Sequence, residues 1–571
     1  MSTHKQEAFM KLHIHSWLQS AIGGCRQYII TRMSPLIPLG ILLVGTGLLF
    51  VSLSPRFPYP APVMLGASLL ASLSVAALFF WLPAIATLSD WAPASLFPAG
   101  LDFVVTPLRW LLALSLMALT LAAALTGLAR PGGPRITARG SMLLLTFGGL
   151  AALLADNVVT VIMAWAGLDF IYFLILILVA RGEGVQPQAV LHLTFNSLGT
   201  LSLTAAAILI GPVTSLSGLM ALPQTALLAT LAAAFRLGLF PLHLGLPVDV
   251  DVRQGLGVLL RLIPPLVAFA AVAELAQAGF PESVRPWLSV FGVAAMLVGA
   301  AQLWISDATR SGLTFIVVAQ SGLALLVGLW GGAQAPLAVT LQGCALVLGG
   351  GLLYLSNGFD DQQPFWAILS GVGAAALLGL PLTAGQAACA ALYDVWISSG
   401  DWRLWLALAG VLAAQALLAG GLWRVIFWPG DPIEGGLPGR IGYGAGLGLL
   451  AMLALGWGLG LGGIAAWSAT PAAQSWQAGA TENLLAAALA LAVAAVGFGL
   501  WRFEHVARPG TETAGAWLMA LLRFDWLYRL AWGVIRVVET VAFNVAAVLE
   551  GEGALLWAAA AVVAVVLVLV Q

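Results

Sequence analysis

The chain has 571 residues, of which 61% are hydrophobic and 8% charged, with a mean hydropathy of +1.00 and a formal charge of −1. Soluble domains carry about 25% charged residues, so a water-soluble fold is excluded, and the balanced charge offers no basic surface for nucleic acid. Cys25, Cys344 and Cys389 form no CxxC pair, which argues against a disulfide framework or a sulfur-ligated metal.

Apolar runs of the roughly 20 residues a bilayer requires follow one another almost end to end. Residues 1–33 form a more polar N-terminal tail carrying Lys5, Lys11, Arg26 and Arg32, with no apolar core or cleavage site of a signal peptide. Cutting at charges, prolines and polar clusters then predicts spans at 34–54, 62–88, 103–128, 140–155, 157–180, 188–211, 219–246, 254–278, 285–305, 309–330, 335–356, 365–398, 402–427, 441–468, 482–503 and 552–570. The fold class is therefore an all-α polytopic membrane protein with about 16 transmembrane helices.

Between the last two spans, Asp525, Arg529, Arg536 and Glu539 recur at steps of 4, 7 and 3 on one helical stripe, while Trp517, Leu521, Leu522 and Trp532 are apolar. This pattern predicts an amphipathic helix over 505–551 lying along the membrane surface, against the alternative of an ordinary connector. Arginines concentrate in the connections after odd-numbered spans (Arg56, Arg130, Arg135, Arg139, Arg181, Arg253, Arg310, Arg424, Arg440), whereas connections after even-numbered spans hold only Arg285 and Arg403. The positive-inside rule assigns the former to the cytoplasm. The basic tail disagrees with that assignment unless a re-entrant segment intervenes.

Charges within spans cost about 2.5–3.5 kcal/mol each on insertion scales and face a bundle interior or a water path. They are Asp156 and Asp169 around the fifth span, Arg236 and His243 in the seventh, Arg261 and Glu274 in the eighth, and Asp394 late in the twelfth. Asp156-Asn157 at a span start reads as helix capping, and His192 beside Asn196 reads as packing or hydrogen bonding. Two spans are interrupted, at Phe240-Pro241-Leu242-His243 and at Gly379-Leu380-Pro381-Leu382. Proline frees a carbonyl and kinks a membrane helix, and breaks at corresponding places in two halves point to a transport site. Pro241 and Pro381 lie five spans apart, so the unit is a five-helix repeat, and an odd number of spans inverts its second copy. The expected organisation is N-terminal helices over 34–138, a first repeat over 139–283, a second over 284–428, C-terminal helices over 429–504, the lateral helix, and a final span over 552–571.

Ala155-Asp156-Asn157 with Trp165-Ala166-Gly167, the run Phe235-Arg236-Leu237-Gly238-Leu239-Phe240-Pro241-Leu242-His243, Asp307-Ala308-Thr309-Arg310 with Gln320-Ser321-Gly322, and Gly379-Leu380-Pro381-Leu382-Thr383 occur in this order. Together they resemble the antiporter-like membrane subunits of respiratory complex I (NADH-quinone oxidoreductase) and of Mrp-type sodium/proton antiporters, over about residues 140–430. The resemblance implies a proton- or sodium-translocating subunit of a bacterial inner-membrane complex, with other membrane subunits and soluble redox or other peripheral subunits as partners. It implies no cofactor in this chain, the electrons of any redox reaction travelling elsewhere.

The chain departs from that family at the residues that carry ions. The fifth-span Glu position is Ala166, the seventh-span Lys is Arg236, the eighth-span His matches Arg261, the eleventh-span His falls at Gln342, and the twelfth-span site is apolar through Ala387 and Ala388, with Asp394 as a displaced charge. A desolvated Lys can release its proton near neutral pH, whereas Arg stays protonated. Asp169 lies one helical turn beyond Ala166 on the same face, so Asp169 and Arg236 are expected to form a fixed ion pair. His243, beside the first break, could titrate near pH 7 or sit as a hydrogen-bonded core residue. The candidate ion-translocation residues are thus Asp169, Arg236, His243, Arg261 and Asp394. Translocation is expected to be weakened. A non-pumping scaffold and the membrane half of an inorganic-carbon uptake system are the competing readings.

Overall fold

In a computed structural model of the chain, the structure describes residues 34–51, 60–88, 100–129, 136–180, 185–211, 215–246, 252, 254–306, 309–356, 364–427, 436–460 and 480–506, with scattered positions between 533 and 563. Eleven described helices are long and apolar enough to cross a membrane, and three shorter apolar helices accompany them. The chain is a polytopic helical membrane protein. The count of sixteen spans is not reproduced by this measure. The N-terminal tail and most of 505–571 lie outside the described residues, so the lateral helix is represented only by scattered helical, exposed positions that include Arg536 and Glu539.

The helices of the larger unit, which ends at His505, are α1 (Leu36–Val51), α2 (Pro60–Ala77), α3 (Pro107–Thr126), α4 (Ile136–Leu154), α5 (Val158–Val179), α6 (Val185–Ile210), α7 (Pro223–Leu237), α8 (Gln254–Ala278), α9 (Arg285–Ile305), α10 (Thr309–Trp330), α11 (Ala335–Ser356), α12 (Pro364–Leu377), α13 (Gln386–Ser398), α14 (Trp402–Ile426), α15 (Gly436–Gly458) and α16 (Ala480–Arg502). Two short strands, β1 (Ala84–Leu88) and β2 (Leu101–Val105), pair antiparallel with Ala84 opposite Val105. The second predicted span therefore ends earlier, and the third starts later, than expected. Their apolar flanks, rich in Ile, Val and Leu, have a periodicity too short to separate strand from helix.

α11 is the axis of the bundle. Every residue from Ala335 to Leu355 except Pro336 is buried, and the helix packs against α3, α8, α10, α12, α13 and α15. Gly343, Gly349, Gly350 and Gly351 keep its surface small, and small residues let backbones approach closely where lipid supplies no hydrophobic drive. α5 and α6 instead expose apolar side chains such as Phe170, Ile177, Leu178, Leu201 and Ile208, as suits the rim of a membrane bundle.

Both predicted interruptions are real breaks in the backbone. α7 ends at Leu237, Gly238 takes the left-handed conformation (φ 62°), and a short 3-10 turn (Leu242–Gly245) follows Pro241. α12 ends at Leu377 and Gly379 has φ 68° before the chain restarts as α13. The two ends close in the same way. Gly238 N–H donates to Phe235 O and Leu239 N–H to Ala234 O, while Gly379 N–H donates to Ala376 O and Leu380 N–H to Ala375 O. These are the reverse-turn bonds of a glycine-terminated helix. The breaks fall in the fourth helix of α4–α8 and in the fourth of the series beginning at α9.

Candidate functional site

The centre of the first half is an ion pair. Asp169 projects from the middle of α5 and Arg236 from the last turn of α7, and Arg236 Nη2 donates to Asp169 Oδ2 at 2.7 Å with both side chains buried. The indole of Trp165, one turn before Asp169, lies under the guanidinium with its centroid 4.4 Å from the Arg236 central carbon. Thr200 Oγ1 on α6 donates to Asp169 Oδ2 at 3.4 Å. Removing two charges from solvent is costly unless the geometry pairs them well, and the aromatic face adds a cation–π attraction. Arg cannot surrender its proton at any physiological pH, so this position holds a permanent cation against a carboxylate.

His192, on α6, donates Nδ1 to Gly245 O at 2.7 Å and stacks on Tyr172 with ring centroids 3.6 Å apart. It thereby ties the turn after the first break to α5 and α6. His243 sits in that turn with its ring against Phe240, centroids 5.6 Å apart, and near Phe315 of α10. Arg261 is buried on α8 and is satisfied by neutral groups: Nε donates to Thr314 Oγ1 at 3.1 Å, Nη1 to Gly257 O at 3.2 Å, and its charge faces the Tyr354 ring at 5.8 Å. No acidic side chain pairs with it among the described residues. Asp394 is half-buried one turn from the end of α13 and makes no ion pair among the described residues. It does not join Arg236. Asp307 and Arg310 fall where the structure describes no side chains.

The second half carries neutral amides where charge was sought. Gln342 on α11 donates its Nε2 to Gln320 Oε1 on α10, and Gln320 Nε2 donates to Leu377 O at the second break, 3.0 Å away. The neighbouring Ser321 Oγ donates to Leu237 O at the first break, 2.8 Å away. Beyond them Tyr393 OH of α13 donates to Gln415 Oε1 of α14 at 2.5 Å, and Gln415 Nε2 donates to Cys389 Sγ at 3.4 Å.

A second charged cluster was only half legible in the sequence. Arg109, near the start of α3, donates Nε to Glu274 Oε1 at 2.7 Å, bonds the same oxygen through Nη2, and pairs through Nη1 with Asp156 Oδ1 at 2.9 Å. These three border a cavity of about 140 Å³ with Thr106, Ser215, Ser217 and Thr340. Asp156 is not the cap of α5. Asn157 is, accepting from Thr160 N at 2.7 Å through Oδ1 while its Nδ2 donates to Gly100 O and Asp102 Oδ2. The capping expectation holds for Asn157 and is corrected for Asp156, whose carboxylate is drawn to the Arg109 charge. Arg424, expected only as a topology marker, is buried in α14 and caps α9: it donates to the carbonyls of Leu303, Trp304 and Ser306 and pairs with Glu504 at 3.3 Å. Cations are favoured at helix C-termini, where carbonyls lack partners.

None of the family models matches this sequence, and no curated protein matches it. Its fold is shared by solved membrane complexes. A chain in the Mrp complex from Dietzia sp. DQ12-45-1b superimposes with a TM-score of 0.60 at 19% identity, covering 90% of this chain and 63% of that one. A chain of the membrane-bound sulfane sulfur reductase, an archaeal respiratory membrane complex, gives 0.69 at 15% identity, covering 94% of this chain and all of that one. Respiratory complex I from Thermus thermophilus with bound NADH gives 0.60 at 21% identity, covering 81% and 99%. This chain spans under two thirds of the Mrp chain's length. It shares its fold with these chains of the Mrp, sulfane sulfur reductase and complex I membrane complexes.

Proposed function

We propose that this chain is an antiporter-like membrane subunit of a multi-subunit complex of the complex I and Mrp type, in which proton or sodium translocation is weakened. The observation that carries the reading is the buried Asp169–Arg236 pair over Trp165. A relay moves protons only through groups that release and regain them, and an Arg held by a carboxylate does neither. The remaining polar row, made of Arg261 of α8 on neutral partners and the Gln342–Gln320 amides of α11 and α10, adds no carboxylate or imidazole among the described residues. The same row favours one second reading, a subunit that supports its neighbours without pumping.

The test is purification of the complex from its native membrane in mild detergent, mass spectrometry of the bound subunits, and reconstitution into vesicles holding a pH-sensitive dye. Recovery with other membrane subunits and little uncoupler-sensitive proton entry through this chain is the expected result. Substantial proton entry that Asp169→Asn or Arg236→Gln abolishes, in complexes that assemble like the parent, would overturn the weakened-relay reading. Recovery of the chain without other membrane subunits would overturn its place in a complex.

A further inference from the structure

Each helix break leaves carbonyls without intrahelical partners, and in a membrane interior these need a donor from elsewhere in the protein. Here the donors are adjacent residues of one helix. Ser321 Oγ bonds Leu237 O at the first break, and Gln320 Nε2 bonds Leu377 O at the second. Both side chains are buried, and Gln320 is held in turn by the buried Gln342 of α11.

We propose that Gln320 and Ser321 are positioning residues that couple the two broken helices, so that a change at one break is transmitted through α10 to the other. The argument is geometric. Neighbouring residues on a helix point about 100° apart, so a single turn of α10 inserted between the two breaks can serve both. A shift or rotation of that turn large enough to lose one bond displaces the other donor by a comparable amount, because the helix backbone between them is rigid. The two breaks also close with the same pattern of bonds at Gly238 and Gly379, and the shared turn of α10 meets them one residue out of register, at the carbonyl one residue before Gly238 and the carbonyl two residues before Gly379. The coupling uses only neutral hydrogen bonds. It therefore does not depend on which ion, if any, crosses the subunit.

The experiment is hydrogen exchange by mass spectrometry on the purified full-length chain in its complex, following peptides that cover 234–246 and 374–386, with 323–330 at the far end of α10 as the internal reference. Ser321→Ala is expected to speed exchange at the first break about fivefold, the size of one neutral hydrogen bond. It is also expected to speed exchange at the second break, where no bond was removed, while the reference peptide stays unchanged. Gln342→Ala, which releases Gln320, should produce the converse: faster exchange at the second break and, through α10, at the first. Ser321→Thr, which keeps a hydroxyl, should restore protection at both. Should Ser321→Ala fail to assemble, the Gln342→Ala arm carries the same test. Effects confined to the break whose own bond was cut, or equal loosening of the reference peptide, would overturn the coupling.

Discussion

At the scale of single residues, the proposed function rests on the guanidinium of Arg236, held against Asp169 inside the bundle. The Asp169–Arg236 pair was legible in the sequence because two patterns intersect: the step of three from Ala166 to Asp169, and the position of Arg236 just before the glycine-proline break. Cutting the pair on one side leaves the other charge buried. Asp169→Asn is expected to cost about 3–5 kcal/mol, read as a lowered unfolding temperature in detergent, whereas the apolar double variant Asp169→Leu/Arg236→Met should recover most of it. An undiminished melting temperature for Asp169→Asn would mean that Arg236 is satisfied by other groups. Arg109 escaped the sequence reading for a physical reason. An arginine two residues after a proline near a span start looks like an interfacial charge, and only tertiary structure brings it to Glu274, 165 positions away.

At the scale of elements, glycine and arginine fix where helices stop. Gly238 has φ 62°, and a methyl group built there would meet the Leu246 side chain at 2.7 Å. Gly238→Ala is therefore expected to lose about 1–2 kcal/mol from the left-handed backbone alone, with further loss from the crowding, seen as faster hydrogen exchange across Leu239–Leu246. Unchanged protection there would show that the turn tolerates a side chain. Arg424→Ala, which strips α9 of its carbonyl cap, should cost about 3 kcal/mol, the worth of charge-assisted bonds; a loss below 1 kcal/mol on the same scale would show that water replaces the cap. The breaks themselves were legible from proline and glycine, the strongest punctuation in a sequence. The contacts of Gln320 and Ser321 were not, because neutral side chains inside an apolar run signal nothing about which carbonyl they reach.

For the whole molecule, the alternation of spans and the Arg-rich connections predict an orientation that can be tested at one cavity. The cavity at Arg109, Asp156 and Glu274 gathers the start of α3, the start of α5, the end of α8, residues 215–217 and the start of α11. Every one of these belongs to connections after even-numbered spans, the Arg-poor face that the positive-inside rule assigns to the outside. Ser215 is exposed there. Ser215→Cys, in a background without Cys25, should react with a membrane-impermeant maleimide in intact cells, and reaction only in inside-out vesicles would reverse the orientation.

The proposed function requires that Arg236, an arginine that keeps its proton at physiological pH, interrupt proton relay. The direct measurement is uncoupler-sensitive proton flux through reconstituted complex as a function of pH, for the parent and for Arg236→Lys. A desolvated Lys beside Asp169 can release its proton near neutrality, so the variant should gain a flux at least about tenfold above the parent, a 1.4 kcal/mol change in the limiting barrier. That gain should disappear at acidic pH, where the Lys stays protonated. A parent that already carries a flux as large as the variant's, with the same pH profile, would contradict the account.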